Sequence, residues 1–166
     1  MKKILIILVS LVLTKAVVAQ NDTIQPPYKK SPNFPAIHLL LPDSTSYFTN
    51  ANLEKKKPVL LMLFNPQCSH CQHETEELIK NIDKFKNIQI VMTTSMLFDS
   101  MMTFREKYKL ADYKNIVVAQ DIHYSLISFF MIHSLPFLAF YDKKKELISV
   151  FEGGLQMEKI LKEFDK

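Results

Sequence analysis

Val59-Leu60-Leu61-Met62-Leu63-Phe64-Asn65-Pro66-Gln67-Cys68-Ser69-His70-Cys71 is the stretch on which the fold of this chain turns. Its first six residues are continuously apolar and Asn65-Pro66 closes the run, a pattern that predicts a strand buried on both faces at the centre of a mixed sheet. From Cys71 onward the period changes. Thr75, Leu78, Ile79, Ile82 and Phe85 recur at helical spacing, with Glu74, Glu76 and Glu77 early and Lys80, Lys84 and Lys86 late, matching a helix dipole. Cys68 and Cys71 therefore fall where a buried strand gives way to a helix.

Working outward, residues 88–93 read as a strand, 98–108 as a helix using Phe98, Met101, Met102 and Arg105, and 116–119 as another strand. These alternate as a βαβ unit does. Residues 122–132 are apolar nearly all round. Strands are expected at 137–141 and 147–151, separated by the charged turn 142–146. Gly153 and Gly154, the only glycines, precede a final amphipathic helix with Met157, Ile160, Leu161 and Phe164 on one face. Upstream, residues 37–41 and 46–49 flank Pro42-Asp43-Ser44 and read as a short hairpin. Residues 20–35, with Pro26, Pro27, Pro32 and Pro35 among polar neighbours, predict an extended lead-in without a core of its own, so that folded structure starts near Ala36. No internal repeat is present.

The chain has 166 residues, 48% of them apolar, which suits one domain with a single core, here residues 36–166. Residues 1–19 read as a signal peptide: Met1-Lys2-Lys3 is basic, residues 4–13 are apolar except for Ser10, and Val17-Val18-Ala19 offers small residues for cleavage before Gln20. Its ten-residue apolar run is half of the roughly 20 that a membrane-spanning helix needs. Export is the expectation, with N-terminal membrane anchoring the outcome if the segment is retained. No cysteine precedes Cys68 to accept a lipid. Net charge is +4 and falls to +1 once Lys2, Lys3 and Lys15 leave. That balance argues against nucleic acid, which needs a concentrated basic stripe. The basic runs at 55–57 and 143–145 read as solvated turns.

Only two cysteines occur, three residues apart. A bridge closing so small a loop does little to hold a fold together, so the pair is better explained by chemistry. The thiolate is the reactive species, and a helix terminus with unpaired N–H groups stabilises it. Cys68 is thus the expected nucleophile, and Cys71, one turn inside, the resolving thiol.

On Phe64-Asn65-Pro66-Gln67-Cys68-Ser69-His70-Cys71-Gln72-His73-Glu74, the chain resembles the thioredoxin superfamily and, within it, the exported TlpA-like group. The resemblance spans about residues 36–166. It implies a thioredoxin-like α/β fold, a central mixed sheet flanked by helices with an N-terminal β-hairpin extension and an inserted βα segment. It implies further that Pro136, after Leu135, is cis and faces the redox pair. Glu74 takes the place of an active-site glutamate found in similar proteins of cytochrome maturation and would relay a proton to or from Cys71. A glutamate favoured by the dipole of the first helical turn is the other reading. His70 stands where strongly oxidising exported relatives carry histidine and, protonated, would stabilise the Cys68 thiolate. The chain departs from the family at Gln67, Ser69-His70, Met62 and Leu135.

The activity implied is thiol-disulfide oxidoreductase, without a cofactor, acting on cysteine-containing exported proteins and exchanging electrons with a membrane-bound thiol partner. A reductant is the expected direction. Three other readings stay open. Cys68, His70, Cys71 and His73 could hold a metal, although residues beginning a helix splay around its axis. The fold could bind a partner without turnover through Ile127, Phe129, Phe130 and Met131. A peroxidase would need an arginine near the nucleophile, and Arg105 is the only one. His38, His123 and His133 have no ligand spacing, and Gln72 after Cys71 excludes a covalent haem site.

Overall fold

The structure, a computed structural model, describes residues 25–165; the predicted signal segment lies outside them. Among the described residues no helix is long and apolar enough to cross a membrane. In chain order the main elements are α1 (Pro27–Lys30), β1 (His38–Leu40), β2 (Tyr47–Thr49), β3 (Val59–Leu63), α2 (Ser69–Lys80), β4 (Gln89–Thr94), α3 (Phe98–Lys107), β5 (Ile116–Gln120), α4 (Ser125–Phe130), β6 (Phe137–Tyr141), β7 (Leu147–Glu152) and α5 (Met157–Glu163).

Seven strands make one mixed sheet in the order β2-β1-β5-β4-β3-β6-β7. The apolar run that decides the fold is β3, with every residue buried. It pairs in parallel with β4, from Val59 opposite Gln89 to Leu63 opposite Thr93, and antiparallel with β6, from Val59 opposite Tyr141 to Leu63 opposite Phe137. Because side chains alternate across a strand, β3 feeds two cores. Leu60, Met62 and Phe64 pack with Leu78, Met101, Phe104 and Ile160, under α2, α3 and α5. Val59, Leu61 and Leu63 pack with Phe34, Ile37, Leu126 and Phe130, under α4 and the N-terminal segment. The parallel strands β3, β4 and β5 end on the same side, the usual location of sites in such sheets.

The hairpin forms as expected, with His38 to Leu40 opposite Thr49 to Tyr47. Other expectations are corrected. The lead-in is part of the fold: Pro27 to Lys30 is helical, Tyr28 lies against Phe130, and Phe34 is buried against Tyr141. Backbone bonds from Phe34 N–H to Lys145 O and from Leu147 N–H to Pro32 O lay this segment along the start of β7. The prolines that argued against regular structure leave its aromatic residues free to cover a sheet face. The helix after the motif stops at Lys80, where the Asn81 side chain donates to Glu77 O, and Ile82–Phe85 continues as a 3-10 turn that still buries Phe85.

The apolar segment 122–132 yields a helix of only six residues, held between Tyr124 and Met131 in the left-handed region at φ 55° and 53°. The buried Asp121 carboxylate fixes its start by accepting from Ser125 N–H, Ser125 Oγ and Leu126 N–H. Phe130 is buried against Phe137, while Ile127 and Phe129 pack on the same core and, like Met131, stay partly exposed. The basic runs are not both free turns either. Lys145 Nζ donates to the carbonyls of Glu54 and Lys57, joining the two at one end of the sheet.

Candidate active site

Asn65 to Cys68 turn the chain from β3 into α2. Gln67 N–H donates to Asn65 Oδ1 at 2.9 Å and Cys68 N–H to Asn65 O at 3.0 Å, while Gln72 Nε2 reaches back to Pro66 O. Cys68 is the N-cap of α2, with extended backbone, and Gln72 N–H donates to its carbonyl as the first helical bond. The Cys68 side chain is half-buried and that of Cys71 is wholly buried; both are free thiols. The antiparallel register of β3 and β6 carries the segment before Phe137 to the same place. The Leu135–Pro136 bond is cis, and Cys68 Sγ lies 3.8 Å from Leu135 O.

The two sulfurs differ electrostatically. Burial disfavours the Cys68 anion, but the backbone N–H of Cys71, its thiol and the N–H of His70 outweigh that, and the thiol lies below its usual range. Burial pushes Cys71 up to about 12, against a weaker opposing contribution from Asn65 N–H, which donates to its sulfur at 3.5 Å. In the reduced protein at pH 8, iodoacetamide will therefore modify Cys68 and leave Cys71 intact. Mass spectrometry of the peptides reads this directly, and equal labelling of the two would refute the asymmetry.

Glu74 is not in the first turn of α2, which begins at Ser69. It is 4% exposed and points toward the approach to α5, where Leu155 N–H donates to its Oε2 at 2.9 Å. Oε1 is buried with no hydrogen-bond partner among the described residues. Burial, opposed by the Leu155 bond, holds this carboxyl above its usual pKa. The dipole reading of Glu74 does not fit a side chain so enclosed. With His70, His73, Gly154 and Leu155 it lines a groove of about 590 Å³ beside the motif.

His70 and His73 are exposed while Cys71 points inward, so these residues do not converge, and among the described residues no group of three or more His, Cys, Asp or Glu is arranged to hold a metal. Met62, where cytosolic thioredoxins bury an acid, is 1% exposed and part of the core. His38 stacks on Tyr47 and His133 lies near Glu152. Sequence reasoning passed over Asn65, Leu155 and Gly154 as site residues. The one available signal was that the chain's only two glycines stand together before the last helix.

No family model and no curated protein matches the chain at the level of sequence. Solved structures do match. It superposes on MTB dsbF, described in mixed oxidized and reduced forms, with a TM-score of 0.65 at 20% identity over 77% of this chain and 92% of that one. The chain has the thioredoxin fold. The exposed lipoprotein thioredoxin of Streptococcus pneumoniae aligns with this thioredoxin-fold protein at a TM-score of 0.60 and 23% identity, covering 78% of this chain and all of that one. A secreted Mycobacterium tuberculosis disulfide oxidoreductase homologous to E. coli DsbE gives a TM-score of 0.61 at 19% identity, over 79% and 93%. What the chain shares with these structures is the fold.

Proposed function

We propose that this thioredoxin-fold protein is an exported thiol-disulfide oxidoreductase that reduces disulfides in protein clients. The observation that carries the reading is the asymmetry of the pair: an accessible sulfur disposed to ionise at the helix N-terminus, three residues from a sealed one at about 12. The Cys68 thiolate attacks a client disulfide, one client thiolate leaves, and a mixed disulfide forms. Cys71 then loses its proton and attacks Cys68 Sγ, releasing the second client thiolate as the Cys68–Cys71 disulfide closes. Two electrons pass from the pair to the client, and no cofactor takes part.

Resolution is the demanding step for the protein. A thiol with pKa about 12 is ionised at pH 7 in only about one molecule in 10⁵, so a nearby base accelerates it. Glu74, three residues on and enclosed with it, is that base. The Leu135–Pro136 segment lies beside Cys68 as the surface along which client backbone approaches. A cationic His70 on the exposed side would stabilise the Cys68 thiolate and raise the potential, opposing the reductant direction that Glu74 and the TlpA-like resemblance support.

Export is supported by the signal-like residues 1–19 and by the secreted and surface-exposed character stated for two of the matching proteins. The clients are cysteine-containing exported proteins, apocytochromes among them, and a membrane-bound thiol partner reduces the spent disulfide. The test is the equilibrium reduction potential of the Cys68/Cys71 pair in a defined thiol-disulfide buffer. A value near about −270 mV is expected; one near about −120 mV makes the protein an oxidant. Failure of the pair to oxidise reversibly would overturn the redox reading altogether.

A further inference from the structure

We infer that Gly154 and Leu155 are positioning residues for the Glu74 carboxylate, and that the glycine at 154 is required by this contact rather than by its backbone. The two glycines make the contrast. Gly153 has φ +84° with nothing within 4 Å of where a Cβ would stand, so its identity is a matter of conformation. Gly154 has no such φ. A Cβ there would lie 3.0 Å from Glu74 Oε2, its only close neighbour. The next residue, Leu155, supplies the N–H that holds this same oxygen at 2.9 Å. One oxygen of the carboxylate is thus clamped against a stretch of backbone with no side chain in the way.

The clamp has a chemical consequence. With Oε2 occupied by Leu155, Oε1 is the oxygen left without a partner, and the carboxyl is close enough to Cys71 to disfavour its thiolate. This inference rests on the role proposed above for Glu74. In the resolving step the Cys71 S–H bond breaks, its proton passes to the Glu74 carboxylate, the sulfur electron pair forms the bond to Cys68 Sγ, and the client sulfur leaves with the electron pair of the mixed disulfide. The proton then returns to solvent or to the departing thiolate. The groups around the carboxyl are Cys71, His70, His73 and Glu77 from α2, and Glu158 from α5, which lines the same groove. Among them His73 favours and Glu77 disfavours the charged form of Glu74.

Gly154→Ala is the direct probe, because the atom it meets is the end of a flexible side chain and the fold can absorb it. The experiment is a double-mutant cycle on resolution of a preformed mixed disulfide between Cys68 and a small protein client, followed by stopped flow from pH 5 to 9. Gly154→Ala in the native background is expected to slow resolution about tenfold and to displace the pH midpoint of the rate. In a Glu74→Ala background the same change is expected to alter the rate less than about twofold, since no carboxylate remains to displace. Additive losses in the two backgrounds, or no effect of Gly154→Ala where Glu74→Ala slows the step, would overturn the clamp and leave the base in place. An unchanged rate in Glu74→Ala itself removes both. Leu155→Pro, which replaces the N–H by a ring carbon facing the same oxygen, serves as the second variant and is expected to reproduce the displaced midpoint. Retention of the native midpoint counts against the clamp.

Discussion

Cys68→Ser will abolish disulfide exchange, with a loss of about 10³-fold or more, whereas Cys71→Ser will leave the attack intact and arrest the protein as a covalent complex with its client. The difference follows from where α2 begins. Its N-terminus falls on Cys68, whose sulfur is half-exposed beside Leu135, so this is the atom a client disulfide can reach. Serine at 68 has a hydroxyl that does not ionise at neutral pH, and nothing else in the turn is a nucleophile. Cys71 is buried and can reach only Cys68 Sγ, once that sulfur is joined to the client. Its loss therefore removes the exit from the mixed disulfide rather than the entry. Client reduction with both variants, together with non-reducing electrophoresis of Cys71→Ser after incubation with client, separates the roles. Trapping by Cys68→Ser in place of Cys71→Ser would reverse the assignment.

Much of this arrangement is readable in the sequence because its signals are local. The run 59–64 could only be buried on both faces, and the change of period at the motif put the cysteines at a strand-to-helix junction, where β3 and α2 meet. The alternation 88–93, 98–108, 116–119 gave the parallel strands and the helix between them, and Leu135-Pro136 falls beside Cys68 because β6 runs antiparallel to β3. What escaped depends on contacts distant in sequence. For Glu74 the sequence left a proton relay and a first-turn dipole glutamate both open, and the contact that encloses it comes from the approach to α5, 81 residues later. The lysines at 145 and 55–57 looked like separate solvated turns, yet Lys145 stitches them together through backbone carbonyls 91 and 88 residues away. The lead-in looked coreless because its prolines dominate its composition, while Tyr28 and Phe34, its only aromatic residues beyond the turn signals, decide where it lies. In 122–132 the apolar pattern is real, but a buried aspartate and two left-handed residues set the ends of the helix, and hydropathy registers neither.

The largest effect on stability is expected at Phe64, and it carries a chemical signature. Phe64 is 2% exposed, its ring lies 4.5 Å from that of Phe104, and it adjoins Asn65, whose N–H meets Cys71 Sγ. Phe64→Ala leaves a cavity beneath the active-site turn and is expected to cost about 3–5 kcal/mol in urea unfolding of the reduced protein. The same cavity admits water toward Cys71. Since burial is what raises that thiol, its pKa will fall from about 12 toward that of an exposed thiol. The sign of the linkage is fixed: a thiol raised by folding stabilises the fold fully below its unfolded pKa. That contribution fades between pH 9 and 12, at up to about 1.4 kcal/mol per pH unit. In Phe64→Ala this fading will be shallower, and in Cys71→Ser it will be absent. Phe140→Ala is the control, because Phe140 is also fully buried, against Phe151 and Phe164, but stands opposite Leu60, about 13 Å back along β3. It should cost a similar amount while leaving the alkylation profile of Cys71 where it was. A Cys71 titration unchanged in Phe64→Ala, or shifted equally by both variants, would mean that the resolving thiol is held in its protonated form by something other than the packing that begins at the end of β3.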